Sequence, residues 1–196
     1  MSILRDLGTP IFKAGGMPAI DLQTYVLSVG GLVKEERNFS WQEILAMPKS
    51  IVNCRLTSVS GWSVRANWEG IKWGDFIKKV TVDAKANHAR FTTVGGGYTT
   101  VVSCKDLEHP RVLLAYGVNG EPIEPSYGGP LRMVIPNLWG YKSCKWLGRI
   151  EFIDQMEGGY WEDRGYTRSG IIEPGFTLDI NTKTRRPISG GEITEF

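Results

Sequence analysis

Cysteine and histidine are scarce in this chain: Cys54, Cys104 and Cys144 are its three cysteines, and His88 and His109 its two histidines. The cysteines form no CxxC pair, so neither a zinc cage nor a disulfide framework follows, and without a CxxCH run no c-type haem is attached to this chain. Two imidazoles are too few for a histidine-rich metal site. Long apolar runs are missing as well. Nothing approaches the ~18 consecutive apolar residues of a membrane span, and Met1 to Pro10 has no apolar centre of a secretory signal, so a cytoplasmic location is expected. Charge of one sign is not in excess either. With 23 basic and 21 acidic residues the net charge is +2, which argues against a dedicated nucleic-acid surface. Any useful positive field has to be local.

The 196 residues, 41% hydrophobic and 22% charged, suffice for one well-buried core, and a single domain over 1–196 is the expectation. Residues 1–17, rich in Gly and Pro, and the polar stretch 167–196, with a basic cluster from Lys183 to Arg186, read as peripheral segments, the latter as a solvated tail. Between them, Thr24 to Gly30 alternates like a strand. Ser40 and Glu43 form a capping box for a short helix, and Ile51 to Ser58 is a strand followed by a turn-rich stretch. A further short helix is expected near Trp73 to Val80. Arg90 to Thr93 and Tyr98 to Cys104 make a hairpin around Val94-Gly95-Gly96-Gly97, and Val112 to Tyr116 is apolar throughout.

One stretch organises the rest. Tyr127-Gly-Gly-Pro-Leu-Arg opens a short apolar strand ending at Ile135, and a second turn, Pro136 to Tyr141, leads into Lys142-Ser-Cys-Lys145. Gly128 and Gly129 allow backbone geometry closed to other residues, and Pro130 fixes the entry into the strand, so Arg132 starts a strand at a loop mouth. At the second turn successive N–H groups, a hydroxyl and two ammonium groups are able to converge on an anion. This is phosphate-binding chemistry without the spacing of a P-loop. The alternative is an ordinary hairpin with a basic turn.

The stretch resembles the signature of the sulfite oxidase family's molybdopterin-binding domain, and the likeness continues through Gly158-Gly-Tyr-Trp-Glu-Asp-Arg-Gly-Tyr166. A second similar run holds Val59, Trp62, Ser63, Trp68, Gly70 and Ile71, and a third is Leu113-Leu-Ala-Tyr-Gly-Val-Asn-Gly-Glu-Pro-Ile123. The resemblance covers residues 18 to 166. It implies an α+β fold of mixed, irregular β-sheets with short helices, a molybdopterin cofactor carrying molybdenum, and oxygen-atom transfer of the sulfite-oxidase or sulfoxide-reductase kind. The implied substrate is a small oxyanion or sulfoxide, with electrons exchanged with a separate electron-transfer protein.

Carried over residue by residue, the resemblance implies that Arg132 and the Ser143-Cys144-Lys145 run hold the cofactor's phosphate end, and that Thr92 or Thr93 touches the pterin. Trp62, Arg65 and Trp68 would shape the substrate mouth, where a guanidinium favours an oxyanion. There are two departures. Tyr127 stands where the family often has Asn or His, and Ser58 occupies the position of the metal-ligating cysteine. A thiol ionises near pH 8.5, whereas a serine hydroxyl stays protonated unless a strong Lewis acid lies against it. Three readings of Ser58 stay open: a Cys→Ser substitution made in the laboratory, a natural serine ligand, and a protein that has lost catalysis while keeping the cofactor. Cys54 is no substitute, since its Cα lies roughly 13 Å back along the strand; it reads as a small buried hydrophobe. A rival to the enzyme is therefore a non-catalytic cofactor-binding or redox-partner protein, and a remoter one a small-ligand β-domain without pterin.

Overall fold

A computed structural model of the chain describes residues 2–192. Short α-helices punctuate it: α1 Ile3–Asp6, α2 Trp41–Leu45, α3 Trp73–Phe76 and α4 Cys104–Leu107. The capping box forms at α2, where Ser40 Oγ accepts from the Glu43 N–H and the Glu43 carboxylate accepts from the Ser40 N–H. The strands run β1 Val26–Gly31, β2 Arg37–Ser40, β3 Ser50–Ser58, β4 Trp62–Lys72, β5 His88–Thr93, β6 Thr99–Ser103, β7 Leu113–Val118, β8 Glu121–Pro122, β9 Arg132–Val134, β10 Leu147–Ile153, β11 Gly175–Leu178 and β12 Arg185–Ile188.

One sheet has the order β2-β1-β10-β5-β6, with β1 and β10 parallel and the other pairs antiparallel. A second has the order β3-β4-β7-β8, with β9 also paired to β7. The long β3–β4 hairpin corrects the expected turn-rich stretch after Ser58: the turn is confined to 59–61, and Val64, Ala66 and Trp68 then alternate inward as a strand. Strand β7 reads as a continuous apolar run because both its faces are covered. Leu114 packs into the core beneath the first sheet, while Leu113 and Ala115 pack into a second core with Val52, Cys54, Leu56 and Trp68. Among the described residues no helix is long and apolar enough to cross a membrane.

The two outer segments are not merely peripheral. Residues Thr9, Pro10, Phe12 and Ala14 of the first reach the central cleft, and so does Asn181 of the last. The basic cluster expected as a solvated tail is the turn and second strand of the antiparallel β11–β12 hairpin. Val59, Trp139 and Ile172 form a small core to which Ile188 adds, and this holds the hairpin against the β3–β4 turn.

Candidate functional site

A cleft opens between the β3–β4 turn, the end of β5, the segment 139–146 and the chain's own first residues. Ser58, Thr93, Tyr127, Arg132, Ser143 and Lys145 all line it, and among the described residues no Asp or Glu does. Its empty space, counting the open mouth, is about 840 Å³.

The cationic end is built on tight backbone approach. Gly128 has φ +104°, and a Cβ there would stand 2.7 Å from Lys145 Cγ, so glycine lets the two turns close on each other. Arg132, 2% exposed, donates from Nη1 to the Tyr127 carbonyl at 2.7 Å, from Nε to the Met133 carbonyl at 3.3 Å and from Nη2 to the Ser143 carbonyl at 3.4 Å. The indole of Trp68 lies beneath its guanidinium, with the ring centroid 5.7 Å away. Lys145 Nζ donates to the Phe12 carbonyl at 2.8 Å. Neither cation has a carboxylate partner among the described residues. Burial pulls the Arg132 pKa down to about 10. Burial first, and the Arg132 charge second, pull Lys145 down to about 7. Two desolvated cations beside a cleft without a counter-charge fit a ligand that brings its own anion.

Buried polar atoms without partners support the same fit, since Thr9 Oγ1 and Trp62 Nε1 both belong to cleft-lining residues and have none. Ser143 Oγ accepts from the Ile135 N–H at 3.0 Å and pins the turn. Tyr127 is buried, and its hydroxyl donates to the Thr9 carbonyl at 3.0 Å. It ties the first segment to the wall while its own carbonyl orients Arg132.

The lining around Ser58 is mainly aromatic, and the Arg186 guanidinium lies against Gly61 of the adjoining β3–β4 turn. Ser58 sits in register with Trp62 across the hairpin. Its Oγ shares a 2.9 Å hydrogen bond with Ser60 Oγ and accepts from the Ser60 N–H at 3.3 Å. Tyr141 and Tyr166 stack with centroids 5.1 Å apart, and Trp161 meets Tyr166 at 5.5 Å. All three line the cleft with Trp62 and Tyr98. Cys54 is fully buried behind this end, and burial raises its thiol to about 12, so it supplies no thiolate. Among the described residues no group of three His, Cys, Asp or Glu side chains gathers to hold a metal.

Several expected positions lie outside the lining. Arg65 alternates to the opposite face of β4 from Trp62, where it donates to Asn53 Oδ1 and pairs with Glu192, both at 2.8 Å. No guanidinium from β4 reaches the mouth. Thr92 faces away from its neighbour Thr93, whose Oγ1 donates to the Tyr98 carbonyl at 3.0 Å. Cys144 is buried behind the wall, Sγ 3.5 Å from the Lys145 carbonyl oxygen, and burial pushes its thiol up to about 12. Trp68 is fully buried beneath Arg132 and shapes no mouth. Lys142 turns inward to Glu162 Oε1 at 2.6 Å and the Val101 carbonyl at 2.8 Å, so one ammonium of the run serves the cleft, not two. The reading of residues did not anticipate Thr9, Phe12, Tyr98, Tyr141, Trp161, Tyr166 or Asn181. The one signal available for them was the density of aromatic residues between Tyr141 and Tyr166.

Residues 14–161 match the family model described as the oxidoreductase molybdopterin-binding domain. An uncharacterized oxidoreductase of Bacillus subtilis, YuiH, is 34% identical over 82% of each chain. A putative protein-methionine-sulfoxide reductase subunit of Azospira oryzae, YedZ1, is 30% identical over 77% of this chain and 57% of its own length. The sulfite oxidase of Arabidopsis thaliana is 30% identical over 88% and 53% respectively, so the chain spans little more than half of these two relatives. In fold it is similar to the sulfane dehydrogenase SoxCD of Paracoccus pantotrophus, with a TM-score of 0.67 and 17% identity over 90% of this chain and 47% of that one. A family model that takes in the cationic cleft, the β3–β4 turn and the sheets around them leaves one conclusion: the chain belongs to the sulfite oxidase family of molybdopterin-binding oxidoreductase domains, and molybdopterin is its cofactor.

Proposed function

We propose that this domain transfers an oxygen atom at the sulfur of an uncharged organic sulfoxide, reducing R2SO with two electrons and two protons to R2S and water, the electrons coming from a separate redox protein. One observation carries the reading: Arg132 and Lys145 are the cations of the cleft's lining, and the lining around Ser58 is mainly aromatic. Arg132 and Lys145 hold the cofactor's phosphate, and the Ser58 end is walled by Trp62, Tyr141, Trp161 and Tyr166. A sulfite dianion entering there would lose its hydration against aromatic faces, whereas a thioether sulfur packs well against ring edges, a contact worth ~0.3–1.5 kcal/mol. The 30% identity to a putative protein-methionine-sulfoxide reductase subunit supports the same substrate class.

When bound, the metal of the cofactor supplies the two-electron chemistry, and the protein positions it and tunes its surroundings. Ser58 Oγ would hold the metal. The Ser60 N–H donates to it, the Ser60 hydroxyl lies 2.9 Å away and would donate to an ionised Ser58, and hydrogen bonds to an anionic oxygen lower the cost of its losing a proton. This supports a natural serine ligand. The second reading is a domain that keeps the pterin and does not turn over. It is favoured by the burial of Cys54 and Cys144, which leaves no thiolate in the cleft.

The test uses cofactor-loaded parent, Ser58→Cys and Ser58→Ala proteins, with molybdenum and pterin assayed separately from turnover. Parent protein should contain both, and should reduce methionine sulfoxide with reduced viologen faster than it oxidises sulfite. Ser58→Ala should keep pterin and lose metal. Sulfite as the faster substrate would overturn the substrate assignment, and pterin with no turnover in the parent would leave the non-catalytic reading.

A further inference from the structure

The β11–β12 hairpin presents two unlike faces. Inward, Thr177 is buried and Ile188 packs against the small Val59–Trp139–Ile172 core. Asp179 is buried too, its carboxylate occupied by the Asn181 N–H at 2.9 Å and the Thr182 hydroxyl at 3.0 Å. Outward, Phe176 and Leu178 are 61% and 49% exposed. They lie in register with Pro187 and Arg185, and the Arg185 guanidinium covers the Phe176 ring 4.0 Å from its centroid. Lys183 is exposed in the connecting turn. Neither Lys183 nor Arg185 has an ion-pair partner among the described residues. The exposed face is therefore an apolar pair rimmed by two free cations, with its carboxylate turned inside.

Its position matters as much as its chemistry. Asn181, in the turn of this hairpin, lines the cleft. Arg186, on the inward face, lies so close to the β3–β4 turn that a Cβ on Gly61 would stand 2.6 Å from its Cζ. A molecule seated on the outward face is thus one hairpin away from the Ser58 end. A proline in β12 has no N–H to donate, so this edge resists strand addition, and recognition has to use side chains.

We infer that the outward face of the β11–β12 hairpin is the docking surface for a small acidic electron-transfer protein. The inference rests on the redox reading above and names where its electron partner binds. Transient redox complexes are small, and complementary charge supplies their encounter rate and orientation. Two cations around an apolar centre suit such an encounter. They are too few for an anionic membrane, which is read by clusters of roughly 4–8 basic residues. A second copy of the chain in face-to-face contact would set like charges opposite each other.

The experiment uses the cofactor-loaded full chain and an acidic plant-type [2Fe–2S] ferredoxin as probe. Binding is followed by calorimetry across ionic strength, and turnover of methionine sulfoxide is driven either by the ferredoxin or by reduced methyl viologen. The parent should bind the ferredoxin at low salt and lose it as salt rises. Phe176→Ser combined with Arg185→Glu, both exposed and outside the cleft, should weaken binding at least ~10-fold and slow ferredoxin-driven turnover with it, while viologen-driven turnover and thermal stability stay at parent values. Lys183→Glu alone should give a smaller loss. Equal binding by parent and variant, no binding by the parent at low salt, or capture of anionic vesicles in place of the ferredoxin would overturn the docking surface. Intact ferredoxin binding without viologen-driven turnover in the parent would instead overturn the sulfoxide reading and leave the surface standing.

Discussion

Lys142 and Lys145 are separated in the sequence by a serine and a cysteine, yet they occupy opposite electrostatic situations. Lys142, with its side chain fully buried, faces Glu162, also fully buried, at 2.6 Å, and Thr100 Oγ1 donates to the same Glu162 oxygen at 2.6 Å. Its charge is answered within the protein. Lys145 and its companion Arg132 are held by backbone carbonyls, each with its ammonium or guanidinium open to an ion the chain does not provide. On the proposed reading, buried Lys142 with its carboxylate belongs to the fold, and buried Arg132 with half-buried Lys145 belongs to the ligand.

The sharpest way to break this distinction is Lys142→Met, which strands Glu162 as an uncompensated buried charge. Removing one partner of a buried pair costs about 3–5 kcal/mol, so denaturant unfolding of the ligand-free chain should show a loss of that size. The double change Lys142→Met with Glu162→Leu should recover most of it. A loss much smaller than this in the single variant would mean that the pair is not structural.

Arg132→Ala attacks the other class. A charge-assisted hydrogen bond is worth about 1.5–3 kcal/mol, so pterin retention after gel filtration should fall roughly 10- to 150-fold. Arg132→Lys should recover part of it, keeping charge but not the planar fork. Equal pterin content in Arg132→Ala and parent would remove Arg132 from the cofactor site.

Lys145 adds a pH signature; burial lowers Lys142 as well, but there the Glu162 carboxylate works against the shift. In the folded, ligand-free chain its ammonium loses its proton near pH 7, and in the unfolded chain near 10.4. Between those values the unfolded chain binds more protons. Stability of the ligand-free protein should therefore climb with pH across that window, with the full penalty present below about 7. Lys145→Met should melt higher than parent at pH 6, and the gap should close above about pH 10.5. Calorimetry in buffers of different ionisation enthalpy should also show proton uptake when the parent binds phosphate at pH 8. The smallest expected effect is that of Tyr127→Phe, which deletes the hydrogen bond to Thr9 and costs about 0.5–1.5 kcal/mol in unfolding free energy.

Sequence alone could not separate the two lysines, because the difference lies in Glu162, a partner contributed from a distant turn. The α+β class, the hairpins and the capping box were legible, since alternation, glycine turns and the Ser40–Glu43 spacing are local signals. That Arg132, Ser143 and Lys145 come together was legible through a fixed pattern of residue types, and all three line the cleft. Arg65 was misread because the stretch after Ser58 looked like a turn. Once 62–72 is a strand, its period of two sends Arg65 to the face opposite Trp62. The aromatic wall and the Thr9–Ala14 segment depend on how distant parts of the chain meet, and no short-range pattern encodes that.

The parallel pairing of β1 with β10 sets an order of events during folding. Ser28 to Gly31 cannot find Arg149 to Phe152 until the intervening chain exists, and loop closure on that scale makes the first sheet a late, slow assembly. Lys145 lies just ahead of β10, and the cleft takes walls from both Thr9 and Asn181. A nascent chain ending before β10 has its glycine turns and its Arg132 but no enclosed site. Enclosure of the cleft therefore requires chain from residue 9 through residue 181.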